Sequence, residues 1–232
     1  MATTSAGIAW SAGLADGNHL HRDLALRSLR QIAQAVGGRL PLSADLEAGY
    51  ATTPDEVAVT VARAIAAGAV GINLEDGLRP IPEQVERIAA ARSAAERSGI
   101  PLFINARIDT HRMGAGPDLW RRETIERAHA YTAAGADGFF VLGALAEDDV
   151  ATFAAAVDAP LNVALDSGTL TVPELSRAGA SRISMGSSVA EAVHRATHDI
   201  VHEVRQFGTA SKTISRLSWS EINRLHSRPT PN

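Results

Sequence analysis

Leu40–Tyr50 reads LPLSADLEAGY, an apolar run that ends in acids. Two later stretches follow the same plan, Gly71–Gly77, GINLEDG, and Ile104–Asp109, INARID. Side chains of a strand alternate between the two faces of its sheet. In the first stretch, alternation sets Leu40, Leu42, Ala44 and Leu46 on one face and Ser43, Asp45 and Glu47 on the other. In the second, Ile72 and Leu74 oppose Asn73 and Glu75. In the third, Ile104, Ala106 and Ile108 oppose Asn105, Arg107 and Asp109. Three strands are therefore expected to bring acids, amides and an arginine to one face at their C-terminal ends. In a parallel α/β barrel, chemistry sits at those ends.

Outward from these strands, the pattern alternates strand and helix. Ala2–Ala9 reads as a strand end entering a Ser/Gly turn, and Asp16–His19 as polar loop. Asp23–Val36 has helical apolar spacing and stops at Gly37-Gly38. Thr53-Pro54-Asp55-Glu56 opens a helix with Thr as N-cap, Pro at the first position and Glu closing a capping box. Helices are predicted from Pro82 to Gly99, over Asp118–Ala134, Glu147–Val157, Thr171–Ala178 and Ser188–Phe207, with a final turn or two at Ser220–His226. Strands are predicted at Gly138–Leu142, Pro160–Leu165 and Arg182–Met185. Such alternation argues a parallel sheet. Seven βα units can be counted, whereas a closed (β/α)8 barrel has eight. The expected fold is α/β, a TIM-type (β/α)8 barrel lacking its first βα unit, with an open seven-stranded sheet as the alternative. Residues 1–207 form the expected barrel domain, and 208–232 a tail with a short helix.

Composition narrows the function classes. The chain of 232 residues is 45% hydrophobic, 21% charged and 4% aromatic, which suits an aliphatic core of helices on a parallel sheet. A net charge of −4 offers no attraction to nucleic acid or an anionic membrane. With no cysteine, disulfides, Cys-ligated zinc and a Cys acid or nucleophile are excluded. No apolar run reaches the roughly 20 residues of a membrane span. MATTSAGIAW lacks the basic and long apolar regions of a signal peptide. A soluble, cytoplasmic protein is expected.

Thr3–Trp10, TTSAGIAW, then ADLEAGY, GINLEDG and NARID, in that order, resemble the barrel-strand motifs of the isocitrate lyase/phosphoenolpyruvate mutase superfamily. Val172–Gly186, VPELSRAGASRISMG, resembles the segment around its last strand. The resemblance covers nearly the whole chain. Family chains normally begin one βα unit earlier, which agrees with the count of seven. The resemblance implies Mg²⁺, with Mn²⁺ as the alternative, and small 2-oxo acids or their enolates as substrates. It implies Asp45 as the main metal carboxylate, with Glu47 and Glu75 holding metal waters. Arg107 is then expected to face the substrate carboxylate or enolate oxygen, with Asn105 as a further substrate contact. The backbone of Ser5, Ala6 and Gly7 would cradle a carboxylate, and Asp16 would lie near the reacting centre. Homo-oligomers that exchange the last helix are also implied.

Each residue also has a structural reading. Strand-end acids can cap helices or pair with arginine on a barrel rim, and a buried Arg107 among acids needs a partner anyway. Ser5-Ala6-Gly7 can be an ordinary turn and Asp16 a loop residue. Gly186-Ser187-Ser188 with Glu191 reads as plain helix capping, although the free N–H groups there could hold a phosphate. His194, His198 and His202 share one helix face and read as an exposed or interface stripe. His111, just after INARID, is the histidine placed to act as acid or base.

The chain departs from the family pattern in informative places. The lyase loop after the GINLEDG-like strand carries a cysteine acid. Here Glu75 runs through Asp76-Gly77-Leu78-Arg79-Pro80-Ile81-Pro82 straight into a helix, without Cys or Lys. Leu142 or Gly143 stands where a carboxylate is expected, and Glu191 where an arginine is common. These losses favour a small substrate. The expected function is Mg²⁺-dependent lyase or decarboxylase chemistry on a small 2-oxo or 2-hydroxy diacid such as oxaloacetate, through an enolate. The alternatives are P–C bond chemistry on a phosphonate or phosphoenolpyruvate, or a non-catalytic paralog.

Overall fold

A computed structural model describes residues 1–17, 19–165 and 170–227. The chain forms two compact units, Met1–Ser187 and Ser188–Asn232. In the first, α1 (Ser5–Ser11) and α2 (Arg22–Val36) precede β1 (Ser43–Asp45). Then follow α3 (Pro54–Ala66), β2 (Gly71–Glu75), α4 (Ile81–Arg97), β3 (Phe103–Ile108) and a 3-10 turn (Thr110–Met113). The unit continues through α5 (Pro117–Ala133), β4 (Gly138–Val141), α6 (Glu147–Ala156), β5 (Leu161–Ala164), α7 (Val172–Arg177) and β6 (Arg182–Ser184). The six strands form one parallel sheet in sequential order, β1 to β6, each joined to the next through a helix. That order and handed-on connection are those of a partial TIM-type barrel.

Register explains why the sheet has two unlike faces. Ala44 pairs with Ile72 and Ile72 with Ile104, and Leu74 pairs with Ala106, which pairs with Phe139. All are buried beneath the helices, beside Val57, Val61, Ile88, Ala91 and Tyr131. On the other face, Asp45 pairs with Asn73 and Asn73 with Asn105, while Glu75 pairs with Arg107 and Arg107 with Phe140. Partners in a parallel ladder point to the same side, so this row is polar across β1, β2 and β3 and turns apolar at Phe140 of β4.

Local signals set the joints. Glu56 N–H donates to Thr53 Oγ1 at 3.3 Å, and Thr53 N–H donates to Glu56 Oε2 at 3.2 Å, closing the capping box that starts α3. Gly49 sits at φ +92°, and a Cβ there would come within 2.9 Å of Val57 Cγ2. Only glycine lets the β1–α3 turn lie this close to α3.

Several expectations need correction. The N-terminal strand is a single bridge between Ala2 and Ser43, and the chain turns at once into α1. Asp45 Oδ2 accepts the Ser5 N–H at 2.9 Å, so Ser5-Ala6-Gly7 is the first turn of a helix and not a strand-end turn. The sheet accordingly has six strands, not seven. Leu40, expected on the buried face, is exposed, because β1 begins only at Ser43. Glu47 leaves the strand: its φ is +49°, and alternation does not extend to it. Asn18, within the expected Asp16–His19 loop, lies outside the described residues.

The second unit holds α8 (Ser188–Phe207), a 3-10 turn (Ser211–Thr213) and α9 (Trp219–His226). Glu203 joins α8 to that turn, accepting from Thr209 Oγ1, Ser211 N and Ser211 Oγ at 2.7 Å each and from Lys212 N at 3.1 Å. No helix among the described residues is long and apolar enough to cross a membrane.

Candidate active site

The polar row ends in two linked clusters. In the first, Asp45 is the hub. Its Oδ2 accepts the Ser5 N–H at 2.9 Å, and its Oδ1 accepts the Asn73 amide and the Glu47 N–H, both at 3.4 Å. Its own N–H donates to Thr3 Oγ1 at 2.9 Å. Asn105, buried, donates from Nδ2 to Asn73 Oδ1 at 2.9 Å, so its amide orients the one that reaches Asp45.

In the second cluster, the Arg107 guanidinium is held at two corners. Nη1 lies 2.7 Å from Glu75 Oε2, and Nε donates to Asp109 Oδ1 at 2.8 Å. Arg107 and Glu75 side chains are 15% and 14% exposed, so the pair sits at a surface opening rather than in the core. Nη2 makes no hydrogen bond among the described residues and stays available.

The two clusters feel each other. Burial pushes the Glu75 carboxyl up to about 7; Asp109, Asp45 and Glu47 add to the rise and Arg107 opposes it. Burial works against the Arg107 charge, but Glu75, Asp109 and Asp45 outweigh it and hold its pKa above the usual value. Burial, then Glu47 and Asp45, raise the Tyr50 hydroxyl. Two carboxylates, Glu75 and Asp109, thus contact one guanidinium, Asp45 acts on it from further off, and Glu47 acts on Glu75.

The backbone is strained around the same place. The non-glycine residues at positive φ among those described are Glu47 (+49°), Tyr50 (+49°) and Leu78 (+62°). All lie in the loops that follow β1 and β2. Ile8 N–H makes the first intrahelical bond of α1, to Thr4 O at 3.1 Å, so Ala6 and Gly7 N–H groups stand ahead of it in the helix's first turn.

Other expected residues lie elsewhere. Asp16 is in the exposed bend after α1, and no hydrogen bond or ion pair joins it to the Asp45 cluster among the described residues. His111 packs its ring against Gly143, and burial lowers its pKa despite Asp109. His198 and His202 stack on exposed α8, ring centroids 6.1 Å apart.

Several partners escaped the sequence reading. Asp109 was placed on the polar face without a role, yet the i, i+2 spacing to Arg107 is the signal that pairs them. Asp76 carries no alternation signal, since it lies just past the strand. Arg87 approaches from α4 and Arg127 from α5, and nothing in their helical spacing marks them as site supports.

Among the described residues, no three His, Cys, Asp or Glu side chains stand close enough to hold a metal directly. The donor set is nonetheless all oxygen, as a hard cation requires, and its charge exceeds that of the one guanidinium. One direct carboxylate with others acting through water fits both facts.

The sequence model of the phosphoenolpyruvate phosphomutase family matches residues 1–205. The chain is 31% identical to 2-methylisocitrate lyase of Escherichia coli K12, covering 90% of this chain and 73% of that one. It is 30% identical to oxaloacetate decarboxylase of Rhodopseudomonas palustris BisA53, covering 86% and 72%. A crystal structure of a Burkholderia cenocepacia J2315 protein assigned as a lyase/mutase superposes with a TM-score of 0.89, at 36% identity over 99% of this chain and 83% of that one. The chain therefore belongs to the phosphoenolpyruvate phosphomutase family of the isocitrate lyase/PEP mutase superfamily, a class of carbon–carbon lyases and mutases.

Proposed function

We propose that this protein is a divalent-metal-dependent lyase that cleaves a C–C bond of a small 2-oxo or 2-hydroxy diacid, with oxaloacetate decarboxylation as the leading reaction. The carrying observation is the Arg107 guanidinium, held by Glu75 and Asp109 with Nη2 unbonded among the described residues, beside the Asp45 cluster. The relatives named for 2-methylisocitrate and oxaloacetate chemistry support the reaction class. The short turn from Glu75 to α4, without a cysteine acid, supports decarboxylation over cleavage of a larger hydroxy acid.

Asp45 would hold Mg²⁺ or Mn²⁺ directly, with Glu47 and Glu75 acting through its waters. The cation would supply Lewis-acid stabilisation of negative charge at the substrate's C2 oxygen. The residues of the chain do the rest. Arg107 Nη2 would donate to the C1 carboxylate or to the C2 oxygen as it becomes an enolate. The first-turn N–H groups of Ala6 and Gly7 would receive a carboxylate. Breaking C3–C4 releases CO₂ and leaves the electron pair in the enolate, which a proton at C3 converts to pyruvate. Asn105 orients Asn73, which steadies Asp45. Asp16, in the bend after α1, would lie near the reacting centre.

The test is a thermal-unfolding scan with and without Mg²⁺ plus oxalate, a mimic of the pyruvate enolate, beside Asp45→Ala. At 100 times its Kd a ligand stabilises by about 2.7 kcal/mol, a shift on the order of 5–11 °C at this size. A shift that needs both components and disappears in Asp45→Ala supports the site. Oxaloacetate is then assayed for pyruvate against a protein-free Mg²⁺ control. No excess pyruvate, with turnover of a phosphonate instead, would move the assignment to P–C chemistry.

A further inference from the structure

Behind the Glu75–Arg107–Asp109 cluster lies a buried polar chain that the proposed reaction does not touch. Asp76 is its centre and is fully buried. Its Oδ1 accepts the N–H groups of Leu78 at 3.0 Å and Asp109 at 3.2 Å. Its Oδ2 accepts from Arg127 Nη1 at 3.0 Å and from the Tyr131 hydroxyl at 2.9 Å. Arg127 Nη1 also donates to Arg79 O at 2.9 Å. Asp109 answers in kind: its Oδ2 accepts the Gly77 N–H at 3.1 Å, while Oδ1 holds Arg107 Nε. Asp76 N–H in turn donates to Arg107 O at 3.0 Å. The ends of β2 and β3 are laced together by two aspartates, and α5 reaches Asp76 through Arg127 and Tyr131.

Plain packing does not call for this arrangement. A buried charge pair replaced by apolar side chains of similar size is often neutral or stabilising. What the pair does accomplish is specific. With Arg127 balancing Asp76, the Asp109 carboxylate is left to Gly77 and Arg107. With Tyr131 and Arg127 fixing Oδ2, Oδ1 is aimed at the Asp109 backbone.

We propose that Tyr131 and Arg127 of α5 are positioning residues for Arg107, setting the direction of its guanidinium through Asp76 and Asp109. The inference rests on the reading that Arg107 meets substrate. The full chain is titrated with oxalate in Mg²⁺ by calorimetry, as Tyr131→Phe in the natural background and in Arg107→Lys. Arg127→Lys, which keeps the charge but loses the fork, serves as the second variant should Tyr131→Phe not fold. Proton exchange at Arg107 Nε is followed by NMR, the signal being identified by its loss in Arg107→Lys.

Tyr131→Phe removes one hydrogen bond to a charged group, and with only part of that loss passed on to Arg107, about a three- to tenfold weaker oxalate Kd is expected in the natural background. Little further change is expected in Arg107→Lys, and Nε–H exchange should quicken in Tyr131→Phe. Equal weakening in both backgrounds, or unchanged Kd and unchanged exchange beside a lowered Tm, would reduce Tyr131 to a structural residue and overturn the proposal. Should the parent protein bind no oxalate, the substrate-site reading fails on its own. The Nε–H exchange then still decides whether Tyr131 holds Arg107.

Discussion

Arg87 of α4 reaches under the loop that carries Glu47, and its removal gives a worked test of how the site is held. Nη2 donates to Ala48 O at 2.5 Å and Ala51 O at 2.7 Å, and Nη1 donates to Thr52 O at 3.0 Å. Arg87 is 4% exposed, so water does not replace it readily. Arg87→Met keeps an unbranched apolar stem and removes all three hydrogen bonds. Thr52 is exposed and can turn to solvent, which leaves the Ala48 and Ala51 carbonyls to count. At about 1–3 kcal/mol for each buried group left without a partner, less the guanidinium desolvation no longer required, the net loss is about 3 kcal/mol. For a chain of this size that lowers Tm by roughly 6–12 °C. Urea unfolding and a thermal scan measure it. Because Glu47 and Tyr50 are held at positive φ in this loop, Mg²⁺-plus-oxalate stabilisation should shrink as well. A loss below about 0.5 kcal/mol, the size of an ordinary surface substitution, would refute the claim that Arg87 shapes the loop.

Gly49→Ala puts a Cβ 2.9 Å from Val57 Cγ2 at a φ of +92°, so a loss of about 1–3 kcal/mol in urea unfolding is expected. Glu75, raised to about 7 by burial first, gives the metal-free chain a pH signature. Its proton is held in both states below about pH 4.5, and stability then falls by about 3 kcal/mol as pH rises through 7, because the unfolded chain ionises first. Glu75→Gln should flatten that slope between pH 5 and 8. Glu203 shows the opposite sign: hydrogen bonds from Thr209, Ser211 and Lys212 lower its carboxyl to about 2. The joint between α8 and its following turn is therefore expected to loosen, by exchange of the Ser211 and Lys212 amides, as pH falls from about 4.5 towards 2, and earlier in Glu203→Gln.

Most of the first unit could be read from the chain because its signals are local. Thr53-Pro54-Asp55-Glu56 closes its own capping box, and Gly68, Gly99 and Gly135 stop helices wherever they stand. Period-two alternation placed Asn73, Glu75, Asn105, Arg107 and Asp109 on one face because β2 and β3 are long enough to keep it. β1 is only three residues long, and there alternation misled. Leu40 lies before the strand, and Glu47 lies after it in a left-handed conformation. Ser5–Gly7 was misread because its geometry is imposed from afar, by a carboxylate 40 positions along the chain. Arg87, Arg127 and Tyr131 were silent for the same reason: their partners are backbone carbonyls and an aspartate on other elements.

The two faces of the sheet argue function between them. On the helix side, Ile72, Leu74, Ile104, Ala106 and Ile108 are each fully buried in one continuous apolar core. That face supplies the stability. The other face and the loop after β1 gather Asp45, Glu75, Asp109 and Glu47 near Arg107, with burial and mutual repulsion raising Glu75. Left-handed backbone at Glu47, Tyr50 and Leu78 adds a cost of order 1–3 kcal/mol at each residue. A chain selected for stability alone would replace such charges with apolar side chains and such residues with glycine. Here the unfavourable terms do not scatter. They gather within two loops and three strand ends, and Arg87, Arg127 and Tyr131 are drawn from two helices to brace them. Arg107 offsets part of this repulsion, and what remains is relieved by a proton on Glu75 or by a cation among the carboxylates. On the proposed function, a divalent cation held at Asp45 would supply that charge, and the cluster would then be more stable with the cation than without it.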